Sequence, residues 1–398
     1  MAQKPLNVIV VGGSLGGLFT GIVLKRLGHR VRIFERNPTP LLQHQGAGIV
    51  AGGEAQAFFD SFDATRSQIA VPSHLRHYFD KKGQVIHEEH KLQRMTSWDL
   101  LYYVLRANFD RVQSDYCTVP DATEGEGDAL YEYGHTVTDV REVDNHVEVD
   151  FHTKAGQKSR ARADMVIAAD GPGSTIRKIL NPGVKRDYAG YVAWRGTVPE
   201  REVSTAVKEA FVEKFAFFHT AAIQILCYTI PGPKGTVEPG KRLLNWVWYC
   251  NYPKDSKEFD ALMTDKEGTR HHITLPVGKM RDEIRKQQNE FAERILPPQF
   301  AELVVKTVQP FIQAITDVLP SQQTFFSGKV LLIGDALAGF RPHTAASTSQ
   351  AALHALLLEQ VLKGEISWKE YKDTSTQYAQ RTSQAGIMMG DRSQFSHQ

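Results

Sequence analysis

A largely apolar run, Leu6 to Val11, empties into the turn Gly12-Gly13-Ser14-Leu15-Gly16-Gly17, and a helix-forming stretch from Leu18 to Leu27 stops at Gly28. A second apolar run, Val31 to Glu35, follows, so the chain opens as strand, turn, helix and strand. Few folds use that order with so tight a turn. A pyrophosphate can rest on the N-terminus of the helix only where the backbone turns sharply and leaves its N–H groups open. Gly12 and Gly17 meet this need in the spacing Gly12-x-Ser14-x-x-Gly17. Ser14 stands where the usual fingerprint has its middle glycine, and its hydroxyl can donate to a phosphate oxygen. Glu35 closes the second strand about 20 residues beyond the turn, where a carboxylate accepts hydrogen bonds from a ribose 2′-OH. It would repel a 2′-phosphate. The dinucleotide expected here is FAD or NAD(H) rather than NADP(H).

The chain has 398 residues, enough for two or three domains at about 150 residues each. Lys and Arg number 47 against 45 Asp and Glu, with neither sign gathered into a tail, so the clustered basic charge of a nucleic-acid binder is missing. Three scattered cysteines, Cys117, Cys227 and Cys250, form no C-x-x-C pair; they argue against a disulfide framework or a zinc site and fit a reducing compartment. No stretch approaches the ~20 apolar residues of a membrane span. The expectation is a soluble cytoplasmic protein without a metal, and a homodimer stays open beside a monomer.

Beyond Glu35 lie a glycine-rich stretch, Gln45-Gly46-Ala47-Gly48-Ile49, and helices expected over Gly53–Phe62 and Ser97–Phe109. Alternating residues predict antiparallel strands at Val137–Val140 and His146–Phe151, and Met165–Ala169 reads as a buried strand. Four aromatic-rich strands are expected at Tyr188–Val198, Phe211–His219, Ile223–Ile230 and Leu243–Tyr252. Helical period returns over Val277–Lys306; Val330–Ile333 is a further buried strand, and helices follow from Ser347 to Leu362 and from Trp368 onward. The fold class is α/β. The first domain is expected over 1–72, 96–182 and 281–398, with a mixed or antiparallel sheet inserted over 73–95 and 183–280.

Two more motifs follow buried strands: Asp170-Gly171-x-x-Ser174-x-x-Arg177 and Gly334-Asp335. Each alone also reads as a plain turn or helix cap. Taken in order with the glycine turn and Glu35, and with an aromatic sheet between them, they make the chain resemble the single-component FAD-dependent aromatic hydroxylases. Within that family it is most similar to the 2,6-dihydroxypyridine 3-monooxygenase group, through Tyr188-Ala189-Gly190-Tyr191-Val192-Ala193-Trp194-Arg195-Gly196, Asn245-Trp246-Val247-Trp248-Tyr249 and Arg341-Pro342-His343-Thr344-Ala345-Ala346-Ser347. The resemblance implies a Rossmann-like FAD domain of the para-hydroxybenzoate hydroxylase type with an inserted substrate sheet. It implies FAD as cofactor, NADH or NADPH and O₂ as co-substrates, and hydroxylation of an activated ring through a flavin C4a-hydroperoxide.

Carried over by position, the resemblance has Gly12, Ser14, Leu15 and Gly17 at the pyrophosphate, Glu35 and Arg36 at the adenosine ribose, and Gly48 and Ile49 along the flavin. Asp170 would support the pyrophosphate region and Asp335 the ribityl hydroxyls. Independently of the family, Pro342 and Ala345, Ala346 and Ser347 lead into a helix whose free N–H groups would stabilise negative charge on reduced flavin. The chain departs from the family at Trp98, where many members have Arg or Gln, and at Leu337, where many have His.

A phenol or hydroxypyridine gains nucleophilicity on deprotonation, which calls for an acceptor near its hydroxyl. His343 is the expected acceptor and catalytic residue. Arg195, His219, Tyr228 and Trp246 are the expected substrate contacts. An epoxidase or oxidase of a non-aromatic substrate, and a flavin-binding protein without turnover, stand as alternatives.

Overall fold

The computed structural model describes residues 4–39 and 48–396. Gln45, Gly46 and Ala47 of the glycine-rich stretch lie outside the described residues. Six strands form the first sheet, in the order Thr324–Phe325, Val330–Leu332, Met165–Ala168, Asn7–Val11, Arg30–Glu35 and Ala129–Tyr133. All pairings are parallel except that of Thr324–Phe325. Its central strands are buried on both faces, as a parallel sheet covered by helices requires. Helices Leu15–Arg26, Trp98–Asp110 and Ser347–Lys363 cover one face and share a core with Val8, Val10, Ile167 and Leu331. The three-stranded sheet Thr136–Val143, His146–His152 and Lys158–Ala163 packs on the other through Val147, Val149 and Phe151.

A nine-stranded mixed sheet forms the second layer system. Its order is Thr274–Leu275, Phe311–Asp317, Asp187–Pro199, Leu243–Asn251, Ile223–Ile230, Lys214–Thr220, Val71–Phe79, Val85–Ser97 and Gly48–Val50. The aromatic strands alternate strictly. Trp194, Trp246, Trp248, Cys227 and Phe218 enter one core, while Tyr191, Tyr249, Tyr228 and Phe215 face the other way.

Two expectations are corrected. Phe211 ends a helix, Thr205–Phe211, and the strand begins only at Lys214. The helical stretch over Val277–Lys306 is two helices, Asp282–Ile295 and Pro298–Lys306, because Pro297-Pro298 cannot continue the first and Pro298 suits the start of the second. Ala292, Leu296, Phe300 and Leu303 pack in one core with Trp194 and Trp246, and Phe311–Asp317 joins the nine-stranded sheet.

The parallel register sets Val166 beside Val330 and Ala168 beside Leu332, so the Asp170 and Asp335 motifs leave the sheet side by side. Arg177, 1% exposed, locks them together: it donates to the Ala336 carbonyl at 2.6 Å and to the Pro172 carbonyl at 2.5 Å. Fully buried His354 supports the same turn, its Nδ1 accepting the Gly334 N–H at 2.9 Å. Burial pushes the His354 imidazole down to about 3.

Replacing Arg177 with Leu strands the buried Ala336 carbonyl and the half-buried Pro172 carbonyl, and we expect a loss of about 3 kcal/mol in unfolding free energy. An unchanged urea midpoint would refute this. The unfolded chain protonates His354 below its ordinary 6.5 and the folded chain only near 3, so folding stability falls as pH drops through that window. His354→Gln cannot titrate. Its stability curve is therefore expected to be flatter than the parent's below pH 6.5, by up to about 1.4 kcal/mol per pH unit; parallel curves in urea titrations at stepped pH would contradict the assignment.

Candidate active site

The glycine turn is shaped by what surrounds it. Gly12 has φ +103°, and a Cβ there would strike the Ala169 carbonyl; a Cβ on Gly17 would strike the Gly12 carbonyl. Glu35 grips the turn from the neighbouring strand, one carboxylate oxygen accepting the Gly13 N–H and the other the Asn37 N–H, both at 2.9 Å. It is buried, while Arg36 beside it is exposed. Trp98 donates from Nε1 to Ser14 Oγ at 3.3 Å and stacks on Tyr102, so the position that carries Arg or Gln elsewhere reaches the turn with an indole N–H.

The helices Leu15–Arg26 and Ser347–Lys363 start at Ser14 and Ala346, and neither has a side-chain cap. Their first N–H groups are therefore open to a ligand. Both starts line one cavity of about 610 Å³ together with Leu15, Gly48, Ile49, Asp335, Pro342 and Ala345. Half-buried Asp170 and Asp335 each leave a buried Oδ1 without a partner, and desolvation raises both carboxyls. Asp170 spends its other oxygen on the Thr175 and Ile176 N–H groups, capping the short helix Thr175–Leu180. The Asp335 acceptor without a donor and the N–H groups without acceptors meet in one cavity, whose lining reaches Ala169 and Gly171 on either side of Asp170. This donor set fits the hydroxyls and phosphates of a flavin dinucleotide.

The far half of the cavity belongs to the inserted sheet. Arg195, Gln224, Leu226, Tyr228, Val247 and Tyr249 project from three neighbouring strands, with Phe215, Phe217 and Arg76 beside them. The Arg195 side chain makes no hydrogen bond or ion pair among the described residues, and its Nε is buried and unpartnered. Arg76 shares Gln93 Oε1 at 2.7 Å and lies over the Phe215 ring. Gly48 joins the halves. Its N–H donates to Asn245 Oδ1 at 2.9 Å, and a Cβ there would meet Asn245 Cγ at 2.6 Å and Tyr228 Cε2 at 2.7 Å.

His343 closes the junction. Its Nε2 lies 2.9 Å from the Tyr191 hydroxyl and its ring lies 4.3 Å from Tyr249. Burial, and then the Arg341 guanidinium, pushes His343 down to about 4. Arg341 is itself held by Asp317 at 2.7 Å and by Asp391 of the closing helix at 2.7 Å. Burial also raises the Tyr249 phenol to about 12.

Two expected substrate contacts do not reach the cavity. Trp246 is fully buried on the opposite face of its strand, donating to Thr307 Oγ1 at 2.8 Å, because its alternation partners Val247 and Tyr249 take the cavity side. His219 is exposed at a strand end and meets the Ser393 carbonyl at 3.3 Å. Conversely, Arg177, Tyr191, Asn245 and Tyr249 shape the site without having been singled out for roles. The period-2 alternation that carries Trp246 away carries Asn245 and Tyr249 toward it, a signal present in the sequence.

Residues 188–317 match a family model described as FAD binding domain-like. The chain is 30% identical over 379 residues to a 2,6-dihydroxypyridine 3-monooxygenase of Paenarthrobacter nicotinovorans, covering 93% of this chain and 87% of that protein. It is 25% identical to a 6-hydroxynicotinate 3-monooxygenase of Pseudomonas fluorescens, covering 91% and 84%. The solved structure of 2,6-dihydroxypyridine-3-hydroxylase from Arthrobacter nicotinovorans superposes with a TM-score of 0.82 at 28% identity, covering 98% of this chain and 93% of that one. Klebsiella pneumoniae HpxO, solved with FAD and uric acid, shares the fold at a TM-score of 0.70 and 18% identity, covering 98% and 90%. With the glycine turn, the paired Asp motifs and the inserted aromatic sheet in their places, the chain belongs to the class A FAD-dependent monooxygenases.

Proposed function

We propose that this monooxygenase hydroxylates an activated aromatic or N-heteroaromatic ring, of the phenol, hydroxybenzoate or hydroxypyridine type, with NAD(P)H and O₂. The observation that carries this reading is the single cavity that runs from the glycine turn and Asp335 to the Arg195, Tyr228 and Tyr249 wall. A flavin held at one end would meet a flat, aromatic-lined slot at the other. Bound there, FAD supplies the electron acceptor for the nicotinamide and the centre at which O₂ is activated.

The protein's own share is position and exclusion of water. In this reading Ser14, Leu15 and the turn glycines hold the pyrophosphate, Glu35 and Arg36 serve the adenosine ribose, Asp335 takes ribityl hydroxyls through its free Oδ1, and Asp170 supports the phosphate end. The open N–H groups after Ala345 and Ala346 stabilise negative charge at the pyrimidine edge of the ring system. Tyr228 and Tyr249 frame the substrate ring, and Arg195, the unpaired cation of that wall, takes an anionic substituent. The aromatic walls keep water from the reacting atoms.

Residues 73–95 and 183–280, with the segment 281–317 added, make up the substrate layer in this proposal, and both ends of the chain make up the FAD layer. Three free cysteines support a cytoplasmic location. Among the described residues no helix is long and apolar enough to cross a membrane.

Purified protein is expected to oxidise NAD(P)H faster when a phenol, hydroxybenzoate or hydroxypyridine is added, with a product heavier by one oxygen; equal oxidation with every ring, and only peroxide formed, refutes the reading. Asp335→Ala is expected to lower flavin retention about tenfold or more, measured by absorbance after gel filtration. Full occupancy would remove Asp335 from its role. Gly48→Ala forces the Asn245 and Tyr228 side chains to move and is expected to cost about 1–3 kcal/mol of stability. A thermal midpoint equal to the parent's would refute that.

A further inference from the structure

The Tyr191 hydroxyl is the one polar group within hydrogen-bond distance of His343 Nε2 among the described residues. Tyr191 has a single proton to give, and among the described residues its hydroxyl meets no hydrogen-bond acceptor other than His343 Nε2. The Tyr191 O–H therefore donates to His343 Nε2. That fixes the imidazole as the Nδ1–H tautomer, with no protein acceptor for Nδ1–H among the described residues. His343 lines the cavity at the meeting of the flavin cradle and the aromatic wall.

Burial and the Arg341 charge disfavour a proton on His343, and Asp391, the carboxylate that favours one, is paired with Arg341. Arg341, Asp391, Asp317 and His219 face His343 from its own loop, the closing helix and the inserted sheet, and both carboxylates are spent on Arg341. Asp335 is the one carboxylate among the described lining residues, and it sits at the cradle end beside Gly334. The other charged lining groups are Arg76, Arg186, Arg195 and Arg341. Besides these cations the wall offers a neutral hydroxyl the unpartnered Gln224 Oε1 as an acceptor, but no carboxylate base.

We propose that His343 is a hydrogen-bond donor to the substrate rather than its base, and that the enzyme selects rings already ionised in solution, with Tyr191 as the residue that fixes the His343 tautomer. This deepens the ring-hydroxylase reading and rests on it. The substrate class is then hydroxylated rings acidic enough to be anionic near neutral pH, such as dihydroxypyridines or phenols bearing electron-withdrawing groups. The O–H bond breaks in water, the proton goes to buffer, and the electron pair stays on the ring oxygen that receives Nδ1–H. An unsubstituted phenol, with a pKa near that of tyrosine at ~10, is a poor ligand at pH 7.

Calorimetric titration of the FAD-loaded enzyme with 2,6-dihydroxypyridine, 4-nitrophenol and phenol, in buffers of different ionisation enthalpy, counts the protons released. At a pH one unit below the pKa of each acidic ring, close to one proton per ring bound is expected, and phenol binds at least about tenfold more weakly than 4-nitrophenol at pH 7. A base at His343 would keep the proton, so binding without release overturns the proposal while leaving ring hydroxylation intact. Failure of all three rings to bind or to stimulate NAD(P)H oxidation sinks the ring reading and the proposal with it. His343→Gln keeps an N–H but cannot take up the ring proton, and release of close to one proton should persist; its disappearance would show that His343 passes the ring proton on to solvent and would overturn the proposal. Tyr191→Phe frees the tautomer and is expected to weaken binding of the ionised ring about tenfold, with an unchanged flavin spectrum showing that the fold is kept; unchanged affinity removes Tyr191 from the positioning role.

Discussion

The parallel alignment of Asn7–Val11, Met165–Ala168 and Val330–Leu332 is the constraint on which the rest depends, because it brings three loops from distant parts of the chain to one sheet edge. Parallel neighbours cannot be joined by tight hairpins, so the chain must travel between them. It uses the longer detour, between Ala168 and Val330, to build most of the nine-stranded sheet. Arg177 turns adjacency into a fixed geometry by filling two carbonyls, one from each returning loop. A guanidinium suits this because its fork reaches several acceptors while the stem stays buried. The cradle is thus a property of the sheet edge, held by a residue that is not among the cavity-lining groups.

Electrostatics divide the cavity. At the cradle end, helix starts without side-chain caps face half-buried carboxylates with unused oxygens, an arrangement whose polar groups are completed by a polyhydroxylated, phosphate-bearing ligand. At the sheet end, tyrosines raised by burial surround an arginine with no counter-ion. A low-dielectric wall strengthens whatever charge interaction forms there. Between them, His343 is kept neutral by burial and by Arg341, and the closing helix Trp368–Gln394 holds Arg341 through Asp391. The end of the chain therefore takes part in shaping the centre of the molecule.

Gly48 shows how a motif can be legible for a different reason from the one first given. Its place beside a flavin follows from family resemblance, yet the contacts that exclude a side chain come from Asn245 and Tyr228. Close approach of the strand Gly48–Val50 to the inserted sheet is what the glycine permits. Pro297-Pro298 was equally visible in the sequence as a helix break, but the helical period on both sides masked it.

Local order determined the opening unit, the strand ends at Asp170 and Asp335 and the presence of an inserted aromatic sheet, because each rests on periodicity or turn chemistry within some thirty residues. The same alternation, followed through Leu243–Asn251, places Trp246 and Tyr249 on opposite faces; which face meets the cavity depends on how the two sheets pack, and no run of residues carries that information. His343 is the clearest case. A histidine in a glycine-and-alanine loop reads as an acceptor with an ordinary pKa, whereas burial, the Arg341 charge and the Tyr191 hydroxyl give it a low one and an occupied Nε2. Arg341 stands two residues away in the same loop, but the burial and the Tyr191 hydroxyl come from the inserted sheet and the closing helix packed against it, so the protonation state of the site was decided by tertiary structure, while its membership in the site was already written in the chain.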